Sequence, residues 1–402
     1  MNRAALLSFG PSKRPFLDRV AASPTLNSLW QNQSCENHQI NCAETLPLPI
    51  RTKKQIRADV AEANKGSFSA SITAKLAIAY GKELAGFYKH GVMTVWRNQM
   101  RVRQLRRKDY KLGGYLDRKG VETEIAVPSF PELTKAMAQL VYIRAMENKA
   151  YADSKAGELV RRDLALTAPL LVLYTMTRAE YQLLRRTPAD FVRLPLFAVI
   201  ATIFMELTPI FCYAFPEVTP LTCILPSLLP KIWRPQARQS LKKAVTESIK
   251  RDSVDDFAMR TAYNLPSKVL QALALCLRLK TKYIPSALFP DSVLRNRLQA
   301  HFLYLLVDNY YLSGLNGNGN IWDLTPQELL LACLERNLVE DTKEAARIFG
   351  NGTPEELSKF MDVMRLDLLL FIANFELCNV GYLAVKSMLP ETETEAVLEW
   401  RR

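Results

Sequence analysis

The amino-acid sequence predicts a mostly α-helical, single-span membrane protein that ends in an all-α domain. Three observations carry that prediction. Strand-type alternation is nearly absent, whereas the pairing of Ser or Thr with Glu three residues later, which marks helix starts, recurs at Ser129/Glu132, Thr177/Glu180, Thr325/Glu328 and Thr353/Glu356. Leu194 to Phe215 runs without a Lys or Arg, and a helix needs about 20 apolar residues to cross a hydrocarbon core. From Pro266 onward, apolar residues return densely at helical intervals.

The first 30 residues carry Arg3, Lys13, Arg14 and Arg19 with Asp18 as the only acid, and Ala4 to Phe9 is too short for a secretory core. This is the pattern of a mitochondrial presequence, and in that compartment the sequons at Asn32 and Asn351 have no meaning. Residues 1–57 are therefore read as presequence and disordered polar segment. A basic amphipathic region follows over 58–175. Its main helix spans ASITAKL to QLRRK, and Gly113-Gly114 with the strand-like VETEIAVPSF forms a linker to a helix starting at Ser129. Residues 51–119 hold 17 Lys or Arg against 5 Asp or Glu, much of the net charge of +13. Such a block suits anionic lipid headgroups or RNA phosphates, or simply a solvated helix face.

Residues 176–235 comprise a capped juxtamembrane helix, the span at about 194–215 and a proline-rich exit. Pro209 is expected to kink the span. A carboxylate at mid-membrane costs about 2–3 kcal/mol on insertion scales, so Glu206 is expected to face protein, water or a partner subunit. The alternative is a core helix of a soluble protein holding a hydrogen-bonded or protonated Glu206. A helical domain over 236–385 and a tail over 386–402 complete the chain. Its loop GLNGNGN has no preceding strand and no following Lys, which argues against a nucleotide cradle. The three histidines stand far apart and the seven cysteines lack zinc-finger spacing, so neither metal site nor cofactor is expected, and no nucleophile or base constellation suggests an enzyme. Scattered cysteines fit packed thiols in a reducing compartment.

Three stretches of the chain resemble the leucine-zipper/EF-hand-containing transmembrane (LETM) family of the mitochondrial inner membrane. One is the run Thr177, Arg178, Glu180, Arg186, Thr187, Asp190, Arg193, Leu194 leading into the span. Another is Met205, Glu206, Pro209 and the Phe215-Pro216 exit. The third is Leu294, Arg295, Leu298, Asp308 with Leu324, Glu328, Leu329, Ala332, Cys333, Arg336, similar to that family's ribosome-binding domain. Departures are the short Glu206–Pro209 spacing, Asn309 in the acid pair, Asn337 for a usual glycine whose left-handed cap it is expected to adopt, and the lack of a calcium loop or long heptads. The resemblance is to short members.

What the resemblance implies is an inner-membrane protein with its C-terminal domain in the matrix, binding mitochondrial ribosomes and supporting membrane-protein biogenesis and ion homeostasis. The helix pair around Glu328 and Arg336 also resembles a SAP-type nucleic-acid module, which points to Arg295, Arg297, Arg336, Lys343 and Arg347 as contacts to rRNA or ribosomal proteins. Inner-membrane lipids and a homo-oligomer are the other expected partners. A second reading is proton-coupled K⁺ or Ca²⁺ exchange through Glu206, which needs an oligomer. Basic residues flank both ends of the span, so charge alone does not orient it.

Overall fold

The structure is a computed structural model describing residues 40–51, 53–63, 69–107, 109–116, 122–139, 141, 176–204, 208–249, 254–280, 289–313, 320–375 and 378–386. The fold is mostly helical, as expected. A 3-10 turn at Ala43–Thr45 precedes α1 (Lys53–Ala63) and α2 (Ser69–Arg107). The expected linker is instead an antiparallel hairpin of β1 (Asp109–Leu116) and β2 (Glu122–Ala126), irregular around Gly113-Gly114. Helix α3 (residues 130–139) leads to α4 (Arg178–Phe204) and α5 (Thr208–Ala214).

Three 3-10 turns, each with a proline at or just before its first residue, carry the chain from Pro216 to Leu228, where each ring fixes φ and no N–H is lost to a ladder. Short α6 (Leu229–Ile232) and longer α7 (Pro235–Ile249) follow, then α8 (Val254–Ala258), α9 (Ser267–Cys276) and α10 (Asp291–Leu312). The last group is α11 (Pro326–Glu335), α12 (Thr342–Asn351), α13 (Pro354–Phe375) and α14 (Tyr382–Val385).

Two of the predicted capping boxes close in both directions. The Glu180 N–H donates to Thr177 Oγ1 at 3.2 Å while Thr177 N–H donates to Glu180 Oε2 at 3.0 Å, and Thr353 with Glu356 does the same at α13. At α11 the box is absent: Thr325 makes no side-chain cap, because Glu328 is drawn into the protein interior. Asn337 holds φ 57 after α11, the left-handed cap expected there, and the Leu338 N–H reaches back to Cys333 O at 2.9 Å.

The core centres on α13, in which every residue from Leu368 to Phe375 is buried, and a helix apolar all round belongs in the middle of a fold. Helices α9, α10, α11 and α14 supply further buried faces. The fold also begins earlier than the sequence suggests: Ile40, Cys42 and Leu46 are core residues, although the polar sequence around them reads as an unstructured leader. All six cysteines among the described residues are free thiols, and five of them are buried.

Candidate functional site

Helix α4 divides at Asp190 into two halves of different character. Its first half presents Arg178, Gln182, Arg185 and Arg186 to the interior, where α10 and α11 answer with acids. Arg178 Nε donates to Asp308 Oδ1 at 2.7 Å and its Nη1 to Glu328 Oε1 at 2.9 Å. Arg186 clasps both oxygens of Glu328 at 2.7 and 2.9 Å. Arg336 closes the far side, donating to Asp308 Oδ2 at 2.6 Å and to Asn309 Oδ1. Arg185 pairs with Glu335 at 2.7 Å and lies over the Tyr304 ring, whose hydroxyl donates to the same carboxylate.

Arg178, Arg186 and Arg336 thus face Asp308 and Glu328 away from water, with the partly buried Arg185–Glu335 pair at the edge, and each buried charge is tolerable only because its neighbours replace its hydration. Burial pushes Glu328 up, yet Arg186 and Arg178 outweigh it and hold the carboxyl down at about 2. Asp308 is held well below the usual range in the same way by Arg178 and Arg336. His301, buried beside the network and bonded to Glu335 O, is pushed down to about 4 by burial and by Arg185.

The network also captures the start of the fold. Arg178 Nη1 donates to Ile40 O at 2.8 Å, and Arg186 Nη1 to Thr45 Oγ1 at 3.1 Å. Asn41 bridges Asp323 O and the Thr325 N–H. This arrangement clamps; among the described residues it offers no open cavity and no cluster of His, Cys, Asp or Glu able to hold a metal ion.

Beyond Asp190 the second half of α4 keeps Leu194 and Phe197 buried and turns its opposite face to the open. Val192, Pro195, Leu196, Val199 and Ile203 form one stripe at helical spacing, and Val192 is 80% and Ile203 67% exposed. Ile210, Tyr213 and Phe215 extend exposed apolar surface along α5. Alongside, Met93, Trp96 and Met100 are exposed on α2, and the Trp96 ring stands 6.0 Å from Phe191, joining the two stripes. Exposed Arg97, Arg101, Arg103, Arg106 and Arg107 follow on the same helix.

The expected span is not present as such: no helix among the described residues is long and apolar enough to cross a membrane. Helix α4 ends at Phe204, and its apolar part from Leu194 covers about 16 Å at 1.5 Å per residue, half of a hydrocarbon core. Pro209 is the second residue of α5, a position where a missing N–H is harmless, and the expected kink involves residues 205–207, which lie outside the described residues. Glu206 lies outside the described residues, as does the presequence.

The ribosome-binding candidates scatter. Arg336 is fully buried, so it cannot touch a partner. Arg295 donates to Ala262 O and Tyr263 O, Arg297 to Leu279 O, and Arg347 pairs with Glu344 and Glu356. Lys343 and Arg297 are the exposed candidates with no ion pair among the described residues, and Arg297 spends one N–H on the Leu279 carbonyl. Of the juxtamembrane motif, Arg178 and Arg186 serve the buried network, Thr177 and Glu180 form the cap, and Asp190 accepts from the Leu221 N–H while pairing with Arg193 at 3.3 Å.

A protein-family model described as the Pentamidine resistance factor domain (PNT1) matches residues 40–313, more than half of the chain. The chain belongs to this family. The match begins at Ile40, the residue whose carbonyl Arg178 grips. Membership corrects the resemblance to the LETM family, which no family match supports. That resemblance rests largely on charged residues of α4, α10 and α11, which in this chain pair with one another in the buried network. The Pentamidine resistance factor domain family is associated with the mitochondrial inner membrane, in agreement with a mitochondrial address for this chain. No curated protein and no solved structure matches it.

Sequence reasoning missed the one-sided exposure of α4. Its signal was the offset of Val192, Leu196, Val199 and Ile203 by four, three and four residues, hidden inside a run that is apolar on all faces.

Proposed function

We propose that the chain is a non-enzymatic protein docked on the mitochondrial inner membrane from the matrix side, where its helical body serves membrane-protein biogenesis. The observation that carries this reading is the exposed apolar stripe Val192–Leu196–Val199–Ile203 with the arginine row of α2 beside it. An apolar face flanked by cations lies in the interface of a membrane with anionic headgroups, its apolar residues reaching the acyl boundary. The buried ion network behind it supports the same reading, because it fixes α4 to the body, with Leu194 and Phe197 buried on one face of its second half and the stripe open on the other.

A ribosome contact on the matrix side is part of the proposal only through exposed surfaces such as Lys343. Alkaline carbonate extraction of mitochondria tests the docking: release into the supernatant is expected, and flotation of purified protein with anionic vesicles should be lost at high salt or on Val199→Asp/Ile203→Asp. Carbonate resistance together with protease-sensitive sites on both membrane faces would overturn the peripheral reading, and a dimer dispersed by the double substitution without any vesicle binding would make the stripe a self-association surface.

A further inference from the structure

Between residues 218 and 246 the chain carries five cations, Lys231, Arg234, Arg238, Lys242 and Lys243, and no Asp or Glu. The run folds into α6 and most of α7, and Glu340, arriving from the link between α11 and α12, is a carboxylate that meets it, pairing with Arg238 at 3.3 Å and Lys242 at 3.4 Å. At the first turn of α7 these residues border a small pocket, half-open to solvent, lined by Trp233, Arg234, Arg238, Asn337, Glu340 and Thr342. It has about 20 Å³ of room, enough for one oxygen-sized group.

Two side chains of this lining, Arg238 and Asn337, are nine-tenths buried and carry unused donors. Arg238 gives Nη1 to Asn337 O and Val339 O and Nη2 to Glu340 Oε1, but its Nε–H has no acceptor among the described residues. The Nδ2 amide of Asn337 is likewise without one. Thr342 is already spent, its hydroxyl donating to Trp233 O at 2.9 Å. Buried donors left open are destabilising, so two on one pocket point to an acceptor that binds there. A water would accept both hydrogen bonds but bring no charge. Burial pushes the Arg238 guanidinium down against the pull of Glu340, which leaves its positive charge under-compensated. The first turn of α7 holds no acid, and its free N–H groups add partial positive charge.

We propose that this pocket binds a phosphate group, with one oxygen accepting from Arg238 Nε and Asn337 Nδ2 and the others at the mouth beside Arg234. Half-buried Arg234 commits only Nε, to Lys231 O, among the described residues, and a single-atom anion such as chloride cannot fill the pocket and meet Arg234 as well. The phosphate belongs to a lipid headgroup or is free in solution. Lys231 lies over the ring of exposed Tyr213 at 3.7 Å, so the rim of the pocket adjoins α5. The site does not depend on docking through the α4 stripe.

The test compares thermal unfolding of the full chain in inorganic phosphate and in chloride at equal ionic strength. Phosphate is expected to raise the midpoint in a concentration-dependent way, beyond any effect of chloride. Asn337→Gly keeps the left-handed cap at φ 57, so it should fold at least as well as the parent while phosphate affinity falls about tenfold. Asn337→Asp sets a carboxylate in the same place and should abolish the phosphate effect. Flotation with vesicles of equal charge separates the two sources. A preference for phosphatidic acid over phosphatidylglycerol that disappears in Asn337→Gly assigns a lipid headgroup, whereas no preference with the phosphate effect intact assigns the free anion. No stabilisation by phosphate beyond that by chloride, or undiminished phosphate affinity in both Asn337 variants, would overturn the site. Val199→Asp/Ile203→Asp should leave the phosphate effect unchanged, so failure of the docking proposal and failure of this one are read separately.

Discussion

Arg178 and Asp308 stand 130 positions apart in the sequence, yet Nε of one donates to Oδ1 of the other at 2.7 Å with both side chains out of reach of water. The pair joins α4 to α10, and Glu328 joins both to α11. Removing one partner leaves an uncompensated buried charge, which costs about 3–5 kcal/mol. Arg178→Met and Glu328→Gln should each lower stability by that order in urea unfolding. Because both touch the same network, their combination should cost clearly less than the sum. Strict additivity would show that the two residues act separately.

Stability should respond to pH through three groups of different sign. Neutral His301 has a folded pKa of about 4 against 6.5 unfolded, so the unfolded chain binds the extra proton and stability falls as pH drops through that window. Asp190 works the other way: burial lifts its folded pKa to about 6 from 3.8, so its contribution is full below 3.8 and is lost as pH rises through about 6. Each is worth on the order of 3 kcal/mol, and they largely cancel between pH 4 and 6. Glu328, held at about 2 against 4.5 unfolded, contributes above 4.5 and is lost as pH falls toward 2. A flat profile down to about pH 4.5 followed by a steep loss is expected. Asp190→Asn should expose the His301 slope, and an unchanged profile in that variant would refute the cancellation.

Gly381 and Gly91 are among the glycines whose close neighbours leave no room for a methyl group. A Cβ at Gly381 would overlap the carbonyl oxygen of Phe257, and one at Gly91 would meet Cys223 Sγ and stand 3.1 Å from Thr222 O. Gly381→Ala must displace backbone and should cost about 1–3 kcal/mol or more in thermal or urea unfolding, with Gly91→Ala milder because a side-chain sulfur can move. Gly86, whose added Cβ would meet nothing, is the control: Gly86→Ala inside α2 should stabilise by up to about 1 kcal/mol.

Membrane affinity should track the α4 stripe. Fully burying an aliphatic side chain is worth about 1.5–3 kcal/mol, so Ile203→Ser should weaken vesicle binding roughly tenfold or more, while substituting buried Ile348 of α12 (Ile348→Ser) should lower stability and leave the affinity of the folded fraction intact. Vesicle flotation with parallel unfolding curves separates the two effects.

Much of the architecture was legible in the sequence. Thr177 and Thr353 announce their helices by local chemistry, and Asn337 announces its left-handed cap, because caps depend on a few neighbouring atoms. Glu328 was misread as a cap for the same reason: the local pattern is correct, and only the arrival of Arg178 and Arg186 from 150 and 142 positions away diverts the carboxylate. The run from Leu194 to Phe215 reads as a span because hydropathy does not report how far a helix extends or which face is covered, and no helix among the described residues is long and apolar enough to cross a membrane. Arg336 illustrates the limit for sites. A positive charge in sequence suggests a phosphate contact, but its guanidinium is spent on Asp308 and Asn309.

The grip on Ile40 and Asn41 sets the order in which the protein can be completed. Asn41 is held by backbone atoms of Asp323 and Thr325, more than 280 residues downstream, and the Ile40 carbonyl by an arginine that itself needs Asp308 and Glu328 in place. Contacts of such long sequence separation form slowly, since the loop between them must close first. A chain delivered through a translocation pore with its N-terminus leading would therefore present its first core segment long before the pocket for it exists. Ile40, Cys42 and Leu46 lack their partners during that interval, and apolar residues waiting for a pocket are open to misassembly until it forms.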